Sequence, residues 1–200
     1  MKAIGLDSAR ERLRRAHSAF ERLERATTNK DRETAWSDFL LASHAVYSKL
    51  EQGSKGCGKS QAWFGRKKHE RKNDELLRYI HHARNIDDHG IMGTTLAGAE
   101  IRVLEGTIYN VTPVVQDREV SFVTTGSLGT KAETIQYLAL KIVHDDRYHD
   151  SFMPPRMHLG KPIRTEDDAK ALVHALDVAR LGYAYLKALI DEAATLPVHI

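Results

Sequence analysis

The sequence predicts a mainly α-helical fold, an antiparallel helical bundle carrying a small antiparallel β insertion (α+β overall). Apolar residues recur at three- and four-residue steps toward both ends of the chain, which is the period of an amphipathic helix. Between about Glu100 and Val143 the texture changes to β-branched residues bounded by turn residues. No alternating strand–helix series runs along the chain, so a parallel α/β sheet is not expected. The bundle is assigned residues 1–97 and 164–200 as a single domain, and residues 98–163 an inserted β-hairpin or sheet with a Pro-rich loop.

Leu13, Ala16, Phe20 and Leu23 mark the first helical stretch, from about Ser8. Its many Arg and Glu residues read as a solvated face. After the break TTNKD, Trp36, Phe39, Leu40, Val46, Tyr47 and Leu50 carry a second helix to about Gln52. GSKGCGKS reads as a helix stop at Gly53 followed by a basic loop. Beyond QAWFGRKKHERK a third helix starts near Asn73, with Asn73 or Asp74 as its cap and Gly90 placed to end it. EIRVLEGTIYNVTPVV and REVSFVTT read as strands, and the alternation in ETIQYLALKIV makes it a strand too. HDDRYHDSFMPPRMHLGKPI, with three of the five prolines, reads as an ordered loop. Thr165 opens TEDD, acids suited to a helix N-terminus. The last helix is expected to run from there to about Ala194, with Leu172, Leu176, Ala179, Tyr183, Leu186 and Ile190 as its stripe.

The 200 residues carry a formal net charge of +3, compatible with an anionic partner but not diagnostic of one. The single Cys57 excludes an intramolecular disulfide and a thiolate-rich zinc site within one chain, and fits a reducing compartment. MKAIGLDSARERLRRAH lacks the apolar region of a secretory signal, and no apolar run approaches bilayer length. A cytoplasmic protein without membrane contact is the expectation.

Gly53 to Ser60 fits G-x-x-x-x-G-K-[ST], the phosphate-binding loop of nucleotide hydrolases. That motif needs a buried strand leading in, so that backbone N–H groups surround the phosphates. Here WSDFLLASHAVYSKLEQ is helical by period, and no apolar strand ending in a lone Asp supplies a metal-side carboxylate. The match is read as coincidental.

HHARNIDDHG, at the end of the third helix, is the densest polar stretch. Residues four apart share a helix face, so His81, Arg84, Asn85, Asp88 and His89 form a polar patch, while Leu76, Ile80 and Ala83 pack inward. Cleaving RNA through its own 2′-hydroxyl requires moving a proton off that hydroxyl, stabilising charge on phosphorus and protonating the leaving oxygen. Histidine titrates near neutrality, and arginine presents a permanent planar fork to phosphate. Arg84, Asn85 and His89 offer these groups, with His81 and Asp88 supporting, and no metal or other cofactor is needed. The same residues also allow a plain Arg84–Asp88 ion pair with His89 at the negative helix end.

RNIDDH resembles the R-x4-H motif of the HEPN (higher eukaryotes and prokaryotes nucleotide-binding) ribonucleases, which commonly carry a polar residue directly after the Arg. The resemblance implies an HEPN-like antiparallel helical bundle and metal-independent endoribonuclease activity, often in toxin–antitoxin or phage-defence systems. It implies a homodimer whose motif copies face each other, RNA as substrate and an antitoxin protein as a further partner. By position, Arg84 and His89 would be catalytic and Asn85 would support them.

Arg66, Lys67, Lys68, Arg71 and Lys72 form a basic run ahead of the motif helix, able to gather RNA phosphates or simply be solvated; Trp63 and Phe64 beside it read as core. His144, Asp145, Asp146, His149, Asp150 and His158 are a second polar cluster, whose spacing matches no metal template. A non-catalytic RNA- or protein-binding helical module is the alternative to the ribonuclease, and a metal-dependent hydrolase comes behind both.

Overall fold

The computed structural model describes residues 1–89, 93–105, 110–116, 119–125, 131–145, 150–163 and 172–197, apart from the side chains of 88, 89, 102, 110–113, 115, 116, 119–121, 123–125 and 145. Among these residues the chain is mainly helical, with short antiparallel strands.

Helices α1 (Ala3–Arg25) and α2 (Asn29–Ser54) form an antiparallel hairpin. Thr28 ends the break between them by accepting the Asp31 N–H at 3.1 Å on its hydroxyl, satisfying one of the free donors of the first turn. The buried stripe of α1 is built from small residues, Gly5, Ala9, Ala16 and Ala19, with Leu6 and Leu23. Small side chains let the two axes approach closely. A Cβ on Gly5 would stand 2.4 Å from the Gly53 Cα. Gly53 is therefore a packing glycine in the last turn of α2, which ends one residue later at Ser54, close to the expected stop.

The basic loop expected after Gly53 is a short turn, with Gly56 at φ 88°. Helix α3 (Gly58–Asn73) then takes in the whole basic run. Trp63 and Phe64 are buried, as expected of core aromatics. No strand enters GSKGCGKS: one helix leads in and another leaves.

Helix α4 (Glu75–His89) follows after Asp74 alone. Of the two candidate caps, Asp74 is the one used, its Oδ1 accepting the Leu77 N–H at 2.9 Å. Leu76, Tyr79, Ile80 and Ala83 are buried against the bundle. Gly90 lies outside the described residues.

Strands β1 (Thr95–Glu105) and β4 (Lys131–Leu140) pair antiparallel, as do β2 (Asn110–Gln116) and β3 (Glu119–Thr125). Burial along β4 runs from exposed at Lys131 to buried at Leu140, so only the base of this arm enters the core. Trp36 Nε1 donates to Thr94 Oγ1 at 3.0 Å, and the Tyr79 hydroxyl donates to the Lys141 carbonyl at 2.7 Å. These two aromatics fasten the base of the β1–β4 ladder, one beside each strand, to α2 and α4.

The segment expected to be a loop contains two small hairpins, β5 (Val143–Asp145) with β6 (Asp150–Phe152), and β7 (Met157–His158) with β8 (Lys161–Pro162). Leu159 and Gly160, at φ 48° and 75°, form the two-residue turn of the second, the left-handed pair that such tight hairpins require.

Helix α5 (Ala175–Ala194) is shorter than expected at its start. The predicted N-terminus at Thr165 lies outside the described residues. Leu172 is exposed and precedes the helix, because the backbone at 173–174 is given to the sheet. The Leu140 N–H donates to the Val173 carbonyl at 2.9 Å, and His174 bridges Ala139. Leu186, Leu189 and Ile190 complete the core.

Replacing Gly5 with Ala should cost about 1–3 kcal/mol in chemical denaturation, because the clash is with backbone that cannot move aside. Gly58→Ala, where an added Cβ meets nothing within 4 Å, should leave stability within about 0.5 kcal/mol of wild type.

Candidate functional site

The motif occupies the C-terminal turns of α4, and the start of that helix is held from several sides. Besides capping α4, Asp74 accepts the Leu159 N–H on Oδ2 at 2.6 Å, and His158 Nδ1 lies 3.0 Å from its Oδ1. An ionised carboxylate only accepts, so the His158 Nδ1 carries the proton. Glu75 accepts the backbone N–H groups of Arg156 and Met157 at 2.9 and 3.2 Å. The β7–β8 hairpin is thereby clamped over the N-terminus of α4. Burial raises the Asp74 pKa, but the hydrogen bonds from His158, Leu159 and Leu77 outweigh it and hold the carboxyl below its ordinary value.

Three imidazoles and a phenyl ring run beside the helix. His44 of α2 stacks on His81 with ring centres 6.1 Å apart, His81 meets the edge of His82 at 5.0 Å, and His82 stacks on Phe152 at 3.5 Å. His82 is buried, and through Phe152 it packs β6 against α4. Its role is structural, whereas His81 and His44 are half-buried. His44 was not singled out in the sequence. Its spacing from Ser37, two turns along α2, was the available signal, since Ser37 also faces α4 through a hydrogen bond to Asp87.

The candidate residues are not one exposed patch. Arg84 is half-buried with its Nε inside the protein. Asn85 is 5% exposed, which corrects its placement on a solvated surface. A side chain so enclosed orients its neighbours and does not itself grip a substrate. The side chains of Asp88 and His89 lie outside the described residues, although the backbone of α4 extends to His89. His44, His81, Tyr47 and Arg71 line a cavity of about 20 Å3 between α2, α3, α4 and α5. That is room for about one water molecule, so the cavity is not a substrate pocket.

At the C-terminal end of α4 lies an open groove of about 780 Å3, bounded by Glu33, Asp38, Asp87, Thr94 and Lys141. Its carboxylates make this side unattractive to phosphate. The basic run on α3 is largely committed elsewhere. Lys67 contacts Glu192 at 2.8 Å and Glu70 at 3.4 Å, and Lys68 contacts Glu51 at 2.9 Å. The Arg71 guanidinium lies 4.6 Å from the Tyr47 ring centre. Burial opposes the Lys67 charge, but the carboxylates of Glu192 and Glu70 prevail and hold its pKa above the ordinary lysine value. Only Arg66 and Lys72 of the five are fully exposed.

The described members of the second polar cluster are engaged separately. His144 Nδ1 is 2.7 Å from Ser151 Oγ, and His158 is engaged by Asp74. Among the described residues no three His, Cys, Asp or Glu side chains are grouped as a metal would require. Asp146 and His149 lie outside them, as does the side chain of Asp145. Among the described residues no helix is long and apolar enough to cross a membrane.

No family model, curated protein or solved structure matches the chain.

Asp74→Ala should destabilise the fold by at least about 1 kcal/mol at neutral pH. Because the folded pKa is depressed, the stabilisation is complete above the ordinary value of 3.8 and is lost as pH falls through the lower folded value. Urea titrations of wild type and variant should therefore stay apart above the ordinary carboxylate value of 3.8 and draw together as pH falls below it.

Proposed function

We propose that the chain is a metal-independent HEPN-type endoribonuclease. The observation that carries this is the placement of Arg84, Asn85 and His89 on the last turns of one helix, itself packed into a helical bundle. His89 takes the proton from a ribose 2′-hydroxyl, directly or through water, as the 2′-oxygen bonds to phosphorus. The bond from phosphorus to the 5′-oxygen breaks, and that oxygen leaves with a proton from the protonated imidazole of a second motif copy. Arg84 stabilises the negative charge that grows on the phosphoryl oxygens. Asn85, being buried, holds the helix end in register, and His81 lies one turn before it on the neighbouring face. The need for two imidazoles in different protonation states favours a homodimer with the two motif ends facing. The same resemblance places such an enzyme in a toxin–antitoxin or phage-defence setting in the cytoplasm, restrained by an antitoxin protein.

A mixed RNA pool incubated with the protein in EDTA should be cut to fragments bearing 2′,3′-cyclic phosphate ends. His89→Ala and Arg84→Ala should each lower the rate by at least about 100-fold with the thermal midpoint unchanged for His89→Ala. Equal cleavage by wild type and His89→Ala would sink the assignment. RNA binding without any cleavage would favour a non-catalytic module on the same bundle.

A further inference from the structure

The arginines of α1 belong to a groove that the motif does not explain. Arg12, Arg15, Ser18 and Arg22 recur at three- and four-residue steps, so they lie along one side of the helix. With Asp38, Leu41, Ala42 and Ala45 of α2 they line a channel of about 310 Å3.

Its charge is unbalanced. Arg22 is paired with Asp38 at 2.7 Å, and Arg15 reaches Glu11, which it shares with Arg14, at 3.5 Å. Arg12 has no ion pair among the described residues, so three guanidinium groups face one carboxylate, Asp38, in the groove lining. Outside the groove Arg10 pairs with Asp7, Arg14 with Glu11 and Arg25 with Glu21. Arginine forks collected over an apolar floor suit a phosphodiester chain, whose charge meets the guanidinium groups while ribose and base lie on aliphatic surface.

The groove also leads to the motif helix. On α2, Ser37 and His44 point at α4, through Asp87 and His81, while Asp38 points at α1 through Arg22. At 3.6 residues per turn, Leu41 falls between those two directions, and it is 52% exposed. Asp38 borders both this groove and the one at the end of α4. The open strip of α2 thus runs from the α1 arginines to the side of α4 that carries His81 and Asp87.

We propose that this arginine groove is a binding site for single-stranded RNA, holding the strand beside the cleavage motif while it crosses α2 at Leu41. The proposal deepens the ribonuclease reading and rests on it for the identity of the anion. It moves the phosphate-gathering surface from the basic run of α3 to α1.

The test measures binding of a short fluorescein-labelled single-stranded RNA of mixed sequence, over a salt series, in full-length protein carrying His89→Ala so that nothing is cut. Adding Arg12→Ala and Arg15→Ala should weaken binding about tenfold at low salt, and flatten the logarithmic salt dependence by about 0.7 per arginine. Arg10→Ala with Arg14→Ala, which removes the same charge from the same helix, should do neither. Equal effects of the two pairs, no effect of the first, or no RNA binding by the parent protein would each overturn the groove. Cleavage in EDTA by the wild type is scored separately. Cleavage with an indifferent groove defeats this proposal alone, and a confirmed groove without cleavage defeats the ribonuclease alone.

Discussion

The carboxylate of Asp74 joins three parts of the fold at one point. It stands between α3 and α4, closes the first turn of α4, and receives the β7–β8 turn through Leu159 and His158. A charge enclosed in this way is tolerable only when its oxygens are occupied by donors, and here three donors converge on them. The position of α4 follows from that meeting. With its start fixed and its Leu76–Ile80–Ala83 side buried, its rotation about its own axis is settled. The direction in which Arg84 and His81 face is therefore decided two to three turns away, by a residue that takes no part in the proposed chemistry.

Charge is distributed unevenly over the molecule, in a way its net value conceals. The basic run on α3 looks like an anion site in the sequence. In the fold it is a seam, where Lys67 draws Glu70 and Glu192 together and Trp63 Nε1 donates to the same Glu192 at 2.7 Å. Burial and the neighbouring Tyr47 and Glu70 push the Tyr185 hydroxyl well above its usual range, so it stays protonated and donates to Glu70 at 2.5 Å. Cations used in this way hold α3 to α5 and are spent as binding groups. Further positive charge lies along α1, and the groove beside Asp87 is lined by the carboxylates of Glu33, Asp38 and Asp87. Under the proposed function, this asymmetry would steer an anionic strand along the α1–α2 side.

Much of the frame was legible because periodicity reports burial. The apolar Leu76–Ile80–Ala83 side of α4, the strand read in ETIQYLALKIV and the break before α2 all reappear in the structure, although burial along that strand is graded and does not alternate. Helix α3 was not legible for a physical reason. Its large apolar residues, Trp63 and Phe64, are adjacent and not spaced by a turn, and the rest of its hold on the bundle is ionic. The last helix does not cover Leu172 as expected, because an apolar stripe at helical spacing says nothing about competition from a strand. At Val173 and His174 that strand, β4, takes the backbone. Asn85 was misjudged because a helical wheel assigns polarity to faces but cannot show what covers them. In α1 the signal was present and unused. Neither Arg12 nor Arg22 has an acidic residue three or four positions away, whereas Arg10, Arg14, Arg15 and Arg25 each do.

The burial of Asn85 bears on how such a motif can work at all. If Arg84, Asn85 and His89 all faced solvent, each would need water stripped from it at every turnover, and none would be fixed beforehand. With Asn85 enclosed and the Arg84 Nε already inside the protein, the proposed chemistry would start from a helix end that is preorganised. Preorganisation of this kind has a geometric consequence. One helix end offers an anion only one flank, since the other is packed against the bundle. Enclosing a phosphorus centre on both sides requires a second such end opposite the first, which is the reason that a homodimer, and not a deeper pocket in one chain, fits the proposed chemistry.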